Sequence, residues 1–408
     1  MTQKWQQVKL GDACTVVKGI TYKTEDYASE SDGQIFLTLK CIAKGGGFNF
    51  NGIKYYRGKT EDDQLVQPGD LIIANTDLTR AGDVIGAPLV VPKIRSGERY
   101  VISMDISKLI TDGSVLDKDY LYHFLTSSNA RNYMQSISNG STVLHLKVKL
   151  VDLLKIPMPE LSVQKKVAEM LNAIETQIHK SDQIITKTEL LKKGLLNELI
   201  GQYLKSDKNT KWKISKLAEV CTLITDGKHG DCQNEQDSGY YFISSKDIHN
   251  GIIDYSDSRQ ITRLDFEEAD KRTQLELGDL VMTNSGTIGR MAIAHDSEKT
   301  RKTTFQKSVA IIKPKKSIVS AEYLYYYFLC ILPSLQITSN GSAQKNLLLK
   351  DMRSLQIPVP DNQEQKRIVA ILSEIDRKIG NENMTLEKSR NLKNGLMDDI
   401  FSMKVEVN

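Results

Sequence analysis

The chain has 408 residues, and its 55 Lys and Arg residues nearly balance its 51 Asp and Glu residues, for a formal net charge of +4. This length suits roughly two to four domains, and the balanced charge excludes a polybasic tail while it leaves a locally basic face possible. The five cysteines form no Cys-x-x-Cys pair, and the sequence has no signal peptide or long apolar run, so we expect a cytoplasmic chain without a disulfide framework, a zinc site or a membrane span.

The first part of the chain, residues 1–155, has the pattern of a domain that mixes strands and helices. Short apolar or β-branched runs bounded by Gly, Asp and Pro predict strands near 34–39 and 70–74. The aromatic run at 120–125 predicts a short buried helix.

Two loops of this first domain, at 40–59 and 75–80, are rich in hydrogen-bond donors. Lys and Arg can neutralise phosphates, and Asn can read base edges. The candidate nucleic-acid contacts are therefore Lys40, Lys44, Arg57, Asn75 and Arg80. For each residue taken alone, a solvated polar turn is the alternative interpretation.

A long helix is predicted at 161–200, after the Pro-x-Pro stop at 157–159. Its apolar residues recur at alternating steps of four and three, which is a heptad pattern. The predicted seam comprises Val167, Leu171, Ile174, Ile178, Ile185 and Leu195. At ~1.5 Å per residue such a helix is about 60 Å long. We expect it to pack against a second helix, and packing on its own domain is the alternative.

The chain from residue 209 onward repeats the first part. Trp5 returns as Trp212, and the Gly-Asp-Leu run at 69–71 returns at 278–280. Strands are predicted near 240–244 and 308–312, and a short helix at 323–332. Loops in comparable positions carry a second set of candidate nucleic-acid contacts: Lys228, His229, Ser245, Lys246, Asn284 and Arg290.

A second long helix, Asn362–Phe401, matches 161–200 in a gapless register 201 positions later. Its predicted seam comprises Ile368, Leu372, Ile375, Ile379, Leu386 and Leu396. Two equivalent helices joined by one intervening segment are expected to pair antiparallel, with a pseudo-two-fold. The predicted fold class is α+β, with two mixed globular domains (1–155 and 209–356) separated by a coiled coil of two helical regions (156–208 and 357–408).

Three sequence patterns resemble catalytic motifs, but none of them has the spacing or the position that its chemistry requires. The Gly-rich run at 52–60 places five residues between its glycines, whereas a phosphate loop needs four. Asp361, Glu364 and Lys366 imitate a nuclease cluster, but they fall in the first turn of a helix, where an Asp-x-x-Glu cap is the better interpretation. The six histidines show no metal-ligand spacing. The sequence therefore predicts no catalytic residues, no metal site and no bound cofactor.

The helix starts and the flanking motifs carry a family resemblance. The run Gln-Lys-Lys-Val-Ala-Glu-Met-Leu at 164–171, its copy Gln-Lys-Arg-Ile-Val-Ala-Ile-Leu at 365–372, the Ile-Pro-x-Pro before each, and the Gly-Asp-Leu element resemble the specificity subunit of type I restriction-modification systems. The resemblance covers the whole chain. The repeated motifs are specific, because they occur twice in the same order, while the variable segments share only the general layout.

This resemblance implies a non-catalytic DNA reader. The two variable segments would be target recognition domains for the halves of a bipartite double-stranded site, and the paired helices would dock two methyltransferase subunits beside restriction subunits. S-adenosylmethionine would belong to the methyltransferase subunits, and ATP and Mg²⁺ to the restriction subunits. No base-contacting residue follows from the resemblance.

Two other interpretations stay open at the level of sequence. One is a fused or degenerate restriction-modification enzyme, which the absence of an Asn-Pro-Pro-Tyr motif and of a Walker loop disfavours. The other is a coiled-coil adaptor whose globular ends bind proteins. DNA binding that depends on salt would separate the adaptor from the specificity subunit.

Overall fold

A computed structural model describes residues 5–44, 46–79, 81–95, 97–205, 212–249, 251–295, 297–339 and 346–405. The chain divides into two compact units. The first unit is Met1–Asp182 with Met384–Asn408, and the second unit is Gln183–Asn383. Each unit therefore contains one globular domain and parts of both long helices.

The first unit contains many short strands and two short helices beside the long ones. Its strands are Gln6–Lys9, Cys14–Lys18, Gln34–Leu37, Lys54–Tyr56, Leu65–Val66, Leu71–Ala74, Thr76–Asp77, Pro88–Val90, Tyr100–Ile102, Ile106–Thr111, Ser138–Asn139, Leu144–Leu146 and Lys155–Met158. Its short helices are Lys118–Thr126 and Ser128–Ser136. The first long helix, Leu161–Leu196, begins in this unit.

The second unit has the same kinds of element. Its strands are Lys213–Lys216, Cys221–Asp226, Tyr241–Ile243, Ile248–His249, Ile252–Ile253, Leu280–Thr283, Met291–Ile293, Thr303–Phe305, Val309–Pro314 and Gln356–Val359. Its shorter helices are Gln202–Lys205, Leu217–Val220, Arg263–Thr273, Ser297–Thr300, Ala321–Ser339 and Leu349–Ser354. The second long helix, Asn362–Phe401, begins in this unit.

A four-stranded antiparallel sheet recurs in both units. In the first unit the strand order is Cys14–Lys18, Ile106–Thr111, Leu71–Ala74, Pro88–Val90, and in the second it is Cys221–Asp226, Val309–Pro314, Leu280–Thr283, Met291–Ile293. The strands Leu71–Ala74 and Leu280–Thr283 are buried along their whole length, because both faces of the sheet are covered there. The internal repeat and the mixed fold class are confirmed.

The predicted strands and short helices are present, with one helix longer than expected. The aromatic run at 120–125 lies within Lys118–Thr126, whereas the run at 323–332 belongs to a helix that extends through Pro333 to Ser339. Phe328 and Leu335 are buried on either side of the proline. This packing outweighs the single backbone hydrogen bond that proline removes.

The two long helices differ at their ends. Asn362–Phe401 is α-helical over the whole predicted range. The first long helix is α-helical only to Leu196 and continues as a π-helical turn over Asn197–Gly201 before a last α-helical turn. The predicted helix at 161–200 is confirmed, and its last turn is π-helical.

A buried glutamine fixes the start of the first long helix to its domain. The side chain of Gln164 accepts a hydrogen bond from the backbone N–H of Asp117 at 2.9 Å. It donates to the carbonyl oxygens of Val115 at 3.0 Å and Pro159 at 2.9 Å. The glutamine is fully buried, so all of its polar atoms need these partners.

The second unit contains the same anchor. Gln365 accepts from the backbone N–H of Ser320 at 2.9 Å and donates to the carbonyl oxygens of Ile318 at 2.8 Å and Pro360 at 3.0 Å. The identity of the two glutamines in the sequence thus reflects one repeated set of hydrogen bonds.

Within the first unit, the end of the second long helix packs antiparallel to the start of the first. Lys393 lies 3.3 Å from Glu175, and Arg390 lies 3.4 Å from Asp182, so one helix descends as the other ascends. The ring of Phe401 is buried 5.4 Å from those of Tyr120 and Phe124. The last residues of the helix therefore complete the core of the first domain.

The second unit shows the reciprocal arrangement. Lys192 of the first long helix lies 2.5 Å from Asp376 of the second, and Asp376 also accepts a hydrogen bond from the hydroxyl of Tyr326 at 2.8 Å. Ile200 is buried in the same core as Ile368 and Leu372. None of the predicted seam residues of either helix is exposed. Among the described residues, no helix is long and apolar enough to cross a membrane.

Candidate nucleic-acid interface

A groove of about 350 Å³ on the first domain brings together several of the predicted contact residues. It lies where the loop after the strand Gln34–Leu37 approaches the loop after the strand Leu71–Ala74. Its lining includes Lys40, Lys44, Lys54, Tyr22, Tyr27 and Leu78. We call this feature the lysine groove.

Lys40 is placed on the groove by a braced turn. The 3-10 turn Leu39–Cys41 follows the strand directly, and the side chain of Asn49 donates a hydrogen bond to the carbonyl oxygen of Lys40 at 3.0 Å. A Cβ atom at Gly52 would clash with that same carbonyl group, so only glycine fits there. The backbone that carries Lys40 is thus fixed from two sides.

The lining of the groove carries three lysine ammonium groups beside the two carboxylates of Asp77 and Asp105. Lys40 and Lys54 are exposed, and within the described ranges neither ammonium group forms an ion pair. Lys44 lies 3.9 Å from Asp83, and both side chains are well exposed, so this pair contributes little. Three cations on one concave surface suit an anionic partner.

The opposite wall of the groove is held by a buried carboxylate. Asp77 accepts hydrogen bonds from the backbone N–H groups of Thr79 at 2.7 Å, Val84 at 2.5 Å and Ile85 at 3.0 Å. Burial alone would raise the pKa of Asp77, but these donors more than offset it and lower the pKa below its usual value. The carboxylate therefore stays charged and closes the loop at 77–85.

The second domain carries an equivalent turn. Ser245–Asp247 follows the strand Tyr241–Ile243 as Leu39–Cys41 follows its own strand, and Lys246 takes the place of Lys40. Arg290 donates a hydrogen bond to the carbonyl oxygen of Ser245 at 3.1 Å. The structure thus brings Ser245, Lys246 and Arg290 together. Lys246 is exposed and lies 3.9 Å from the exposed Asp257.

Lys228 and His229 have partners inside the second domain. Lys228 lies 3.2 Å from Asp265 and 3.1 Å from Glu268. Burial would lower the pKa of Lys228, but hydrogen bonds to the two carboxylates raise it. His229 lies 3.3 Å from Asp226. Through these two ion pairs, Lys228 holds the helix Arg263–Thr273 in place.

Asn75 is buried and has a structural role. Its amide nitrogen donates to the carbonyl oxygen of Met104 at 3.0 Å, and its amide oxygen accepts from the hydroxyl of Ser107 at 3.0 Å. Both ends of the amide are therefore occupied, and Asn75 does not line the groove surface with Lys40 and Lys44.

Asn284 occupies the same position in the second domain and is also buried. Ala310 stands where the first domain has Ser107, so the amide oxygen of Asn284 has no hydrogen-bond partner among the described residues. Arg57 lies apart from the lysine groove, and its guanidinium donates to the carbonyl oxygen of Glu25 at 3.4 Å. Arg80 lies outside the described residues.

Several groove residues had no signal in the sequence. Leu78 is an isolated apolar residue in a loop, and Tyr22 and Tyr27 precede the predicted strands. The two tyrosine hydroxyls lie 3.3 Å apart. Burial and this hydrogen bond raise the pKa of Tyr22, so its hydroxyl stays neutral and can donate or accept.

The described residues give no sign of a catalytic centre. No group of three His, Cys, Asp or Glu side chains among them could hold a metal ion. Asp361 accepts a hydrogen bond from the backbone N–H of Glu364 at 2.9 Å, and Glu364 pairs with Arg367 at 2.7 Å. The predicted helix cap is confirmed.

Comparisons with known proteins agree with this architecture. The sequence model of the family described as "Type I restriction modification DNA specificity domain" matches residues 2–190 and 209–389. The type I restriction enzyme EcoBI specificity subunit of Escherichia coli is 23% identical over 434 residues, covering 97% of this chain and 85% of that protein.

Two solved structures have a similar fold. The S subunit of a type I restriction-modification system from M. genitalium aligns with a TM-score of 0.65 at 12% identity, covering 100% of this chain and 98% of that one. A chain from a type I R-M system, solved to explain its complex assembly and conformational transition, aligns with a TM-score of 0.58 at 19% identity, covering 98% and 97%. At these identities the likeness shows the fold alone.

Proposed function

Because the chain belongs to the type I restriction-modification DNA specificity family, we propose that each of its globular domains reads one half of a bipartite DNA target. The chain is a specificity subunit, which is non-catalytic. The observation that carries the proposal for the first domain is the lysine groove, where Lys40, Lys44 and Lys54 converge without burying their charge.

The chemistry of the groove suits double-stranded DNA. Lysines neutralise phosphates and release counterions, which fixes the protein on the backbone without selecting a sequence. Neutral hydroxyls and apolar groups between the lysines can then meet base edges in the major groove. In the second domain, Lys246 and Arg290 would act at the equivalent turn.

Specificity subunits bind DNA and assemble with other subunits of type I systems. We propose that this chain docks two methyltransferase subunits, one at each of two equivalent helix surfaces, and that restriction subunits join this complex. Leu191 and Leu392 lie 201 positions apart on the two long helices and are 52% and 54% exposed. S-adenosylmethionine would be bound by the methyltransferase subunits, and ATP and Mg²⁺ by the restriction subunits.

A second shared feature supports the helix surfaces as docking sites. Gly194 and Gly395 follow the two leucines by one helical turn, and a Cβ atom at either glycine would meet nothing within 4 Å. A glycine inside a helix lowers its stability by about 1 kcal/mol relative to alanine. Packing within the chain does not require these glycines, whereas close approach of another chain would.

Binding of DNA by the complex of this chain with its methyltransferase subunits tests the reading function. Lys40→Ala and Lys44→Ala should each weaken binding, and each should lower the slope of affinity against salt concentration by about one. Lys9→Ala is the control, because Lys9 is an exposed lysine of the same domain outside the groove. Binding that is insensitive to salt and to all three substitutions would favour the protein-binding adaptor.

The docking proposal has its own test. Leu191→Glu and Leu392→Glu should each remove one methyltransferase subunit, and the double variant both, as counted by native mass spectrometry. Leu264→Glu, which alters an exposed leucine of the second domain, should leave the stoichiometry unchanged. Retention of both subunits by each single variant would contradict the assignment of these surfaces.

A further inference from the structure

We propose that Leu78 selects a thymine in the target by packing against its 5-methyl group. This inference rests on the proposed function of the first domain and goes beyond it, because it assigns one base to one side chain. It starts from an anomaly of the lysine groove. Leu78 is a large apolar residue, yet it is 66% exposed on a wall of that groove.

The loop that carries Leu78 is braced from within. The carboxylate of Asp77, the residue before it, accepts the three backbone N–H groups that close the loop at 77–85. Asp77 also pairs with Leu144 in a short strand ladder, so the residue before Leu78 is fixed on both sides. These contacts fix the backbone that leads into Leu78.

The helix Ser128–Ser136 braces the far side of the same loop. Arg131 donates hydrogen bonds to the carbonyl oxygens of Ile85 at 2.5 Å and Asp83 at 3.1 Å, and Gln135 donates to that of Gly82 at 3.2 Å. Such bracing without burial of Leu78 contributes little to the core of the domain. A loop that is held rigidly while its apolar side chain stays exposed is typical of a preorganised binding surface.

The surroundings of Leu78 identify the partner by its chemistry. Lys40 and Lys54 line the same groove and suit phosphates, which places the partner's bases beside the leucine. Among the groups that base pairs expose in the major groove, the 5-methyl of thymine is the apolar one. A protein partner would also cover a leucine, but it would not explain the unpaired lysines around it.

Synthetic duplexes test the assignment directly. Once the target has been read from the methylated adenines of a host, each thymine is replaced in turn by deoxyuridine, which lacks only the methyl group. Binding is measured with the complex of this chain and its methyltransferase subunits. For one thymine of the target, we expect affinity to fall about four-fold, the equivalent of one buried methyl group.

Variants at position 78 connect that thymine to the leucine. Leu78→Ala should bind the thymine duplex several-fold more weakly, and should not distinguish it from the deoxyuridine duplex. Leu78→Met, which keeps an apolar side chain of similar size, should keep the discrimination. Leu153→Ala is the matched control, because Leu153 is an exposed leucine of the same unit outside the groove, and it should change neither value.

Several results would overturn the proposal. One is the finding that replacement of each thymine of the target by deoxyuridine leaves the affinity unchanged. Another is a Leu78→Ala variant that still discriminates at the sensitive position. A third is a Leu78→Ala complex that loses a subunit but binds all duplexes in the wild-type ratios, which would make Leu78 a protein contact. Failure of the wild-type complex to bind DNA in any salt would instead overturn the reading function itself.

Discussion

The two globular domains have the same central sheet and different surfaces. Gln164 and Gln365 make the same hydrogen bonds at the starts of the two long helices. Each side chain accepts from one backbone N–H group and donates to two backbone carbonyl oxygens. At the loops, Asp77 organises the first domain, whereas the equivalent position of the second domain is Gly286. The parts that hold each domain to the helices are copied, and the parts that face outward have diverged.

This contrast shows how one fold serves two recognition tasks. A turn at the end of a strand places Lys40 in one domain and Lys246 in the other, so the site for a cation is retained. What surrounds the cation changes from a groove with Tyr22 and Leu78 to a turn contacted by Arg290. The target sequence would then depend on loops that the fold does not constrain.

Substitution of the two buried glutamines should give the largest losses of stability, and the two losses should be about equal. Gln164→Ala and Gln365→Ala should each destabilise the chain by about 3 kcal/mol, because each leaves several buried backbone groups without partners. Chemical unfolding of the full chain followed by two probes, one for each unit, measures the two costs. Costs that differ by more than two-fold would show that the anchors are not equivalent.

A smaller effect that is confined to one domain is expected at the turn of Lys40. Gly52→Ala should destabilise the first domain by about 2 kcal/mol, because its Cβ atom would collide with the carbonyl group of Lys40 and displace the turn. DNA binding should weaken with it. Gly113→Ala is the control, since a Cβ atom there meets nothing, and it should leave both properties unchanged or stabilise slightly.

The hydrogen bond that one buried asparagine has and the other lacks can be removed from the first domain and added to the second. Ser107→Ala should destabilise the first unit by about 1 to 2 kcal/mol, because it leaves the amide oxygen of Asn75 unpaired as that of Asn284 is. Ala310→Ser should stabilise the second unit by about 0.5 to 1 kcal/mol, because it supplies the missing donor. Urea unfolding of both variants measures the two changes in the free energy of unfolding. Changes of the same sign would refute the explanation.

The smallest expected effect is a difference in acid sensitivity. The folded-state pKa of Asp77 is lowered, so its contribution is fully present above its unfolded pKa of about 3.9 and is lost as pH falls through the folded value. The stability difference between the wild type and Asp77→Asn, measured by urea unfolding at several pH values, should therefore shrink as the pH falls below about 5.

The sequence predicts the repeated parts of the structure better than the recognition surface. The gapless repeat fixed the second long helix at Asn362–Phe401, because heptad spacing and a Pro-x-Pro stop are local signals. The same signals did not reveal the π-helical turn at Asn197–Gly201. Nothing in the apolar pattern of the first helix distinguishes its last turn from that of the second.

The candidate site could be predicted only in part, for a physical reason. Donor-rich loops led to Lys40 and Lys44, which do converge, and also to Asn75 and Asn284, which are buried. A polar residue after a strand looks the same in sequence whether its amide faces solvent or bonds to a neighbouring strand. The importance of Leu78 follows from its exposure, which only the folded loop determines.

The burial of Phe401 has a consequence for the biosynthesis of this protein. Tyr120 and Phe124 leave the ribosome nearly three hundred residues before Phe401 does, yet its ring completes their core. The amino-terminal domain, which is translated first, is thus the one that closes last. A nascent chain that stops short of its final helical turns carries an open apolar core in its oldest part, where chaperones and proteases can detect it. Closure of the first domain therefore reports that translation has reached the end of the second long helix.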